Sequence, residues 1–303
     1  MRHPFSLTSI AAALLAAAGC GALPPAGFPP LVVAHRSGTG NWPENSRTAV
    51  LGAVAAGYPG IEFDLVLTSD RVPVLSHDAS LNPQLCTRAD GTALGTDPVY
   101  IKDLTLQELH AGYRCGGVPH PDHPSAQVVA DMHLTLDELI AAVEGHPDLL
   151  LHFDVKFEPE RTLDATTFAD EILGRWSTSG LPNPWYMSSS QPEFIGIATG
   201  RGARVSYTLP RNIPGAGSTG NAIVGELLGK IGVADHIGLA RQSGATGLNV
   251  AYQVVDRAVI DAARREGLTV QVWTVNEPGL LDFYCRWPID TLITDYPERA
   301  SCL

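Results

Sequence analysis

Short apolar runs rich in Val, Ile and Leu alternate along this chain with segments whose apolar positions recur every three to four residues. The first kind reads as buried strands and the second as amphipathic helices, and their regular alternation marks βα units around a parallel sheet. Strands are predicted at residues 31–35, 61–66, 149–156, 185–189, 204–208, 247–251, 269–274 and 290–294. Helices are predicted at 45–56, 136–144, 164–176, 192–199, 223–231, 257–266 and 278–285. Eight strands with helices between them predict an α/β fold, a (β/α)8 TIM barrel occupying a domain over residues 31–303.

Residues 67–134 break the alternation: they hold a predicted hairpin at 72–75, a helical patch at 104–109 and many Gly, Pro and Asp residues. This long insertion follows the second strand on the strand-to-helix side, where barrel enzymes place their active-site loops. His77 and Asp78 lie inside it, so it is expected to contribute chemistry.

Composition narrows the partners. Among 303 residues, 20 Lys and Arg face 32 Asp and Glu, for a net charge of -12, which argues against a nucleic-acid surface. Any bound phosphate must be held by local positive charge. Residues 1–19 read as a signal peptide, with a polar start at Arg2 and His3 and an apolar core too short to span a bilayer permanently. The run ending Gly19-Cys20 is similar to a lipobox, which would place a lipid on Cys20; the alternative is cleavage after an Ala-x-Ala site such as Ala16 to Ala18. Residues 20–30 then form a Pro-rich tether. The protein is expected to be exported, to the periplasm or cell surface, touching a membrane only through Cys20.

Five cysteines less Cys20 leave four, an even number that favours disulfides in an oxidising compartment. Proximity in sequence pairs Cys86 with Cys115 and Cys285 with Cys302, one of three connectivities; four free thiols are the alternative.

Charged side chains gather where apolar runs end: VVAHRSGTGNWPENS at 32–46, GIEFDLVLTSDRVPVLSHD at 60–78 and HFDVK at 152–156. Glu62 and Asp64 are two apart on one strand and so share a face, as do Asp154 and Lys156 on the next. Carboxylates converging in a barrel mouth are costly without a cation, and three oxygen donors with no Cys suit one Mg2+ or Ca2+ better than zinc. His35 and His77 can divide general base and general acid work near pH 7. Arg36 offers a planar fork for phosphate oxygens, and Lys156 a point charge. This inventory fits metal-assisted cleavage of a phosphate ester.

The same blocks resemble a known family. HRSGTGNWPENS is similar to the HRG and PENT blocks of the glycerophosphodiester phosphodiesterases, EFD and SHD to their ExD and HD blocks, HFDVK to ExK, and QVWTVN and DTLITDYP to two C-terminal blocks. The resemblance spans residues 31–297 and implies a metal-dependent hydrolase of glycerophosphodiesters that releases an alcohol and glycerol 3-phosphate. Carried over by position, it makes His35 and His77 the acid–base pair, Glu62, Asp64 and Asp154 the metal ligands, and Arg36 and Lys156 the phosphate contacts. Trp273 becomes an apolar wall for the glycerol or leaving group, with barrel packing as the alternative. Glu44 and Asn45 become positioning residues, Asn45 as a cap of the first helix and Glu44 as a brace for Arg36 or the metal shell.

Three positions depart from the family pattern. Ser37 stands for Gly, Ser46 for Thr, and Asp154 for Glu, whose carboxylate would reach roughly 1.3 Å further. The last leaves metal strength open. Water or the substrate's own 2-hydroxyl could be the nucleophile, the latter giving a cyclic phosphate as in the similar sphingomyelinase D-type lyases or a lysophospholipase D acting on a lysophospholipid. A catalytically weak, head-group-binding envelope protein is the reading from another class.

Overall fold

The computed structural model describes residues 29–209 and 222–303. The expected signal peptide, Cys20 and most of the tether lie outside the described residues. In chain order the elements are β1 (Leu31–Ala34), α1 (Arg47–Ala55), β2 (Gly60–Leu67), β3 (Pro73–Leu75), β4 (Cys86–Arg88), α2 (Leu106–Gly112), β5 (Tyr113–Cys115) and α3 (Leu136–Val143). They continue with β6 (Leu150–Val155), α4 (Ala165–Ser179), β7 (Trp185–Ser189), α5 (Pro192–Gly200), β8 (Val205–Thr208), α6 (Ala222–Gln242), β9 (Gly247–Ala251), α7 (Arg257–Arg265), β10 (Thr269–Trp273), α8 (Pro278–Tyr284) and β11 (Thr291–Thr294).

The sheet runs β1-β11-β10-β9-β8-β7-β6-β2, and a β1–β2 pairing closes it into an eight-stranded parallel barrel. β3 adds antiparallel to β2, with Leu65 opposite Leu75, so the hairpin expected at 72–75 is a short extension of the barrel wall. Alternation along each strand separates two apolar cores. Ile61, Phe63 and Leu65 of β2 and Leu151, Phe153 and Val155 of β6 pack outward with the helices. Val33, Leu150, Tyr186 and Ile293 form a separate buried cluster inside the barrel. Above that plug the inward positions become polar: Glu62 opposite His152, and Asp64 opposite Asp154, which is opposite Ser188.

Helix boundaries differ from the sequence reading by a turn or less at most ends, for identifiable reasons. α2 begins at Leu106 because Thr105 and Glu108 form a reciprocal capping box, and α3 begins at Leu136 through the same device on Thr135 and Glu138. α6 runs to Gln242, well past the expected end at 231. The segment between β3 and α3 is tied by an antiparallel β4–β5 pair in which Cys86 faces Cys115, and these two form a disulfide. A second disulfide joins Cys285 to Cys302. The 29-residue separation of the first makes its loop-closure contribution about 3–4 kcal/mol. That cross-link matters because most of what the segment buries is the small cluster around Leu81, Leu85, Ile101 and Leu109.

Candidate active site at the barrel mouth

β1 ends at Ala34, one residue before the expected end, because His35–Ser37 coil into a 3-10 turn. Arg36, Ser37 and Gly38 have φ of 48°, 62° and 96°, three successive left-handed residues. The two that are not glycine each cost about 1–2 kcal/mol, which explains why Gly fits the position that Ser37 fills. The turn aims the Arg36 backbone N–H at Glu62 Oε2, 2.6 Å away. Gly40 brings the rest of this loop against the end of β11: a Cβ there would stand 2.3 Å from the Tyr296 ring and 2.7 Å from the Asp295 carbonyl.

The structure brings all the expected site residues to this mouth. Carboxylate oxygens of Glu62, Asp64 and Asp154 lie within 4.8 Å of one another. Oxygens that share one cation at about 2.1–2.6 Å can be at most about 5 Å apart, so the trio fits a single hard cation. The shorter Asp154 is included because Ser188 Oγ donates to its Oδ1 at 2.7 Å, while the Lys156 ammonium bonds its Oδ2. His152 Nε2 lies 2.7 Å from the same Ser188 hydroxyl. Lys156 Nζ also sits 2.9 Å from Asp64 Oδ1.

Charge balance points the same way. Burial first, and then repulsion from Asp64 and Asp154, push the Glu62 carboxyl well above the ordinary range, against the opposing pull of Lys156. Burial, the largest single influence, would also raise Asp64 and Asp154, but Lys156 together with the nearby histidines and, for Asp64, Arg36 holds both below their usual values. For Lys156 itself, burial would lower the ammonium; Asp154, Asp64 and Glu62 overcome this and raise it. The trio thus carries more negative charge than its one ammonium offsets, which a divalent cation would correct.

Asn45 does not cap α1. Ser46 does, its Oγ accepting from the Ala49 N–H at 3.0 Å, because Asn45 (φ 54°) turns its amide inward instead. Asn45 Nδ2 donates to Asp64 Oδ2 at 2.7 Å and its Oδ1 accepts from the Asp64 N–H at 3.1 Å. This two-point clamp fixes the carboxylate. Asn45→Ala is accordingly expected to weaken Mg2+ or Ca2+ binding by about tenfold or more by calorimetry, with the fold retained by circular dichroism. Glu44 braces Arg36, accepting from Nη1 at 2.6 Å. Burial would raise Glu44, but Arg36 and a bond from His120 bring it to about 2.

The two histidines are wired alike. His35 Nδ1 lies 2.6 Å from Asp295 Oδ1, and His77 Nδ1 lies 2.8 Å from Asp78 Oδ1. A carboxylate partner puts the proton on Nδ1, so each ring presents Nε2 as its proton-exchanging atom. Both line a cavity of about 280 Å³ together with Arg36, Glu62, Asp154, Lys156 and Trp273. Trp273 lines the cavity and packs on the inner cluster of Val33 and Ile293. A second cleft shares His77 and is walled by Leu75, Leu85, Val118 and Met132.

Sequence reasoning assigned no role to Asp295, Asn276, His120, His123 or Ser188. Asn276 Nδ2 donates to Asp295 Oδ2 at 2.5 Å and its Oδ1 accepts from the Asp295 N–H at 3.0 Å, the same two-point clamp that Asn45 makes on Asp64. Both residues lie in or beside the C-terminal motifs, VWTVN and TDYP, which were the available signal.

Residues 35–299 match the model of the glycerophosphoryl diester phosphodiesterase family. The uncharacterized protein Rv2277c of Mycobacterium tuberculosis is 34% identical over 50% of this chain, and the chain spans only about half the length of that relative, 46%. A Silicibacter pomeroyi crystal structure superposes with a TM-score of 0.76 at 22% identity, over 90% of this chain and 92% of that one. An Oleispira antarctica phosphodiesterase, solved in complex with the product sn-glycerol-3-phosphate, gives 0.67 at 19% identity, over 89% and 95%.

Proposed function

The chain belongs to the glycerophosphoryl diester phosphodiesterase family, and from that premise we propose that its barrel mouth hydrolyses glycerophosphodiesters to an alcohol and glycerol 3-phosphate. The observation that carries this reading is the convergence of Glu62, Asp64 and Asp154 within 4.8 Å of one another beside two carboxylate-paired histidines. Those three carboxylates would hold one Mg2+ or Ca2+, which when bound offsets charge on the phosphate oxygens. Arg36 and Lys156, already oriented by Glu44, Asp64 and Asp154, hold the phosphate from the protein side.

His35 takes the proton of the nucleophile at Nε2, and Asp295 stabilises the imidazolium that forms. His77, carrying a second proton on Nε2 taken from solvent, gives that proton to the leaving oxygen. Its position supports that division: its side chain is 36% exposed against 15% for His35, and it alone of the pair borders the second cleft, where a departing alcohol has room. Trp273 supplies the apolar wall for the glycerol carbons. The two disulfides support export to an oxidising compartment, and Cys20 is the proposed anchor there.

Incubation with glycerophosphocholine and Mg2+ or Ca2+ is expected to release sn-glycerol 3-phosphate and choline with turnover. Tight binding without release would instead favour a head-group-binding protein, and a cyclic phosphate product would make the 2-hydroxyl the nucleophile.

A further inference from the structure

Glu44 and Asp295, the carboxylates that orient Arg36 and His35, each have a further partner supplied by a single His-Pro-Asp-His turn, residues 120–123, of the long segment between β3 and α3. His120 Nε2 lies 3.3 Å from Glu44 Oε2, and His123 Nε2 lies 3.4 Å from Asp295 Oδ2. Neighbours decide the tautomer of both rings. The Asp122 backbone N–H donates to His120 Nδ1 at 3.1 Å, so the proton of that ring is on Nε2. His123 Nδ1 lies 3.0 Å from the Tyr296 hydroxyl, which can donate to it and so leave the ring proton on Nε2, the nitrogen 3.4 Å from the Asp295 carboxylate. Burial keeps His123 toward its neutral form, in keeping with this arrangement. The two ring centroids stand 4.6 Å apart, so the rings pack against each other.

We infer that His120 and His123 are positioning residues that clamp the insertion onto the site, His120 acting on Arg36 through Glu44 and His123 acting on His35 through Asp295. The inference rests on the phosphodiesterase reading for its kinetic consequences but not for its geometry. The two histidines reach different functional groups and therefore separate in their effects. Loosening Glu44 frees the Arg36 fork that meets the phosphate, whereas loosening Asp295 frees the ring that moves the proton.

His120→Ala is expected to raise KM and the Kd for sn-glycerol 3-phosphate by about tenfold, with kcat changed by less than about threefold. His123→Ala is expected to lower kcat by about tenfold with KM nearly constant, and to shift or abolish the downfield NMR proton of the His35–Asp295 bond. Glutamine can place an N–H donor where His Nε2 stands, so His120→Gln and His123→Gln should recover most of each loss. Unchanged constants and an unchanged NMR proton in folded alanine variants would overturn the clamp, as would equal loss in the alanine and glutamine variants. If an alanine variant does not fold, its glutamine counterpart decides: near-native constants and proton support the clamp, and their loss overturns it. A wild-type protein with no turnover defeats the phosphodiesterase reading alone, because the NMR proton still judges the His123 half of the clamp and the Kd for sn-glycerol 3-phosphate the His120 half.

Discussion

His35→Asn and His77→Asn should each lower turnover by about 10²-fold or more while metal binding and folding stay near native. Both rings have Nδ1 tied to a carboxylate, at 2.6 and 2.8 Å, and neither carboxylate belongs to the acidic trio, so removing an imidazole takes away proton transfer without taking away a ligand. The combined loss should fall far short of additive, since a reaction stalled for lack of its base gains little from its acid. Leaving-group chemistry separates the pair. With His77 as the acid, a substrate carrying p-nitrophenolate needs little protonation and should rescue His77→Asn much more than His35→Asn. Equal rescue in steady-state assays would refute that division, and loss of the cation in either variant would move that histidine into the ligand set.

Chelation should have the other large effect. Exhaustive EDTA and EGTA treatment is expected to abolish turnover, and Mg2+ or Ca2+ should restore it. The reason lies in the balance among Glu62, Asp64, Asp154 and Lys156: one ammonium lies between two carboxylates, at 2.9 Å from Asp64, and burial and repulsion drive the third toward protonation. Phosphate brought to that surface would add negative charge to an existing excess. Full activity in the chelated protein, with metal content measured by mass spectrometry, would show that Arg36 and Lys156 suffice.

The barrel wall was legible because most of its strands are short apolar runs bounded by turn residues, and because period-2 alternation already puts Glu62 with Asp64 and Asp154 with Lys156 on common faces. The carboxylate trio and both histidines follow from that alternation plus the charged run ends. What escaped was relations across long sequence distances. Beyond the TDYP motif nothing local tells Asp295 from any other strand-end aspartate, and its partner His35 is 260 residues away. His120 and His123 sit in a Pro-rich turn whose lone histidines have an ordinary surface reading until the chain folds over the mouth. Asn45 was misread for a different reason: Asn and Ser are both good caps, and only the left-handed backbone at Asn45 leaves the cap to Ser46 and turns the amide toward Asp64.

Parallel pairing of β1 with β11 sets Ala34 opposite Thr294, and the next residue on each strand is His35 on one side and Asp295 on the other. The seam between the first and last strands of the barrel is thus also where His35 acquires its tautomer. A chain with most of its wall assembled but this seam open holds an imidazole with no preferred proton position, and contacts between segments so distant in sequence are among the slowest to form. Proton-transfer competence should therefore appear late in folding, after bulk secondary structure, and recovery of activity should report closure of the cylinder and not mere collapse.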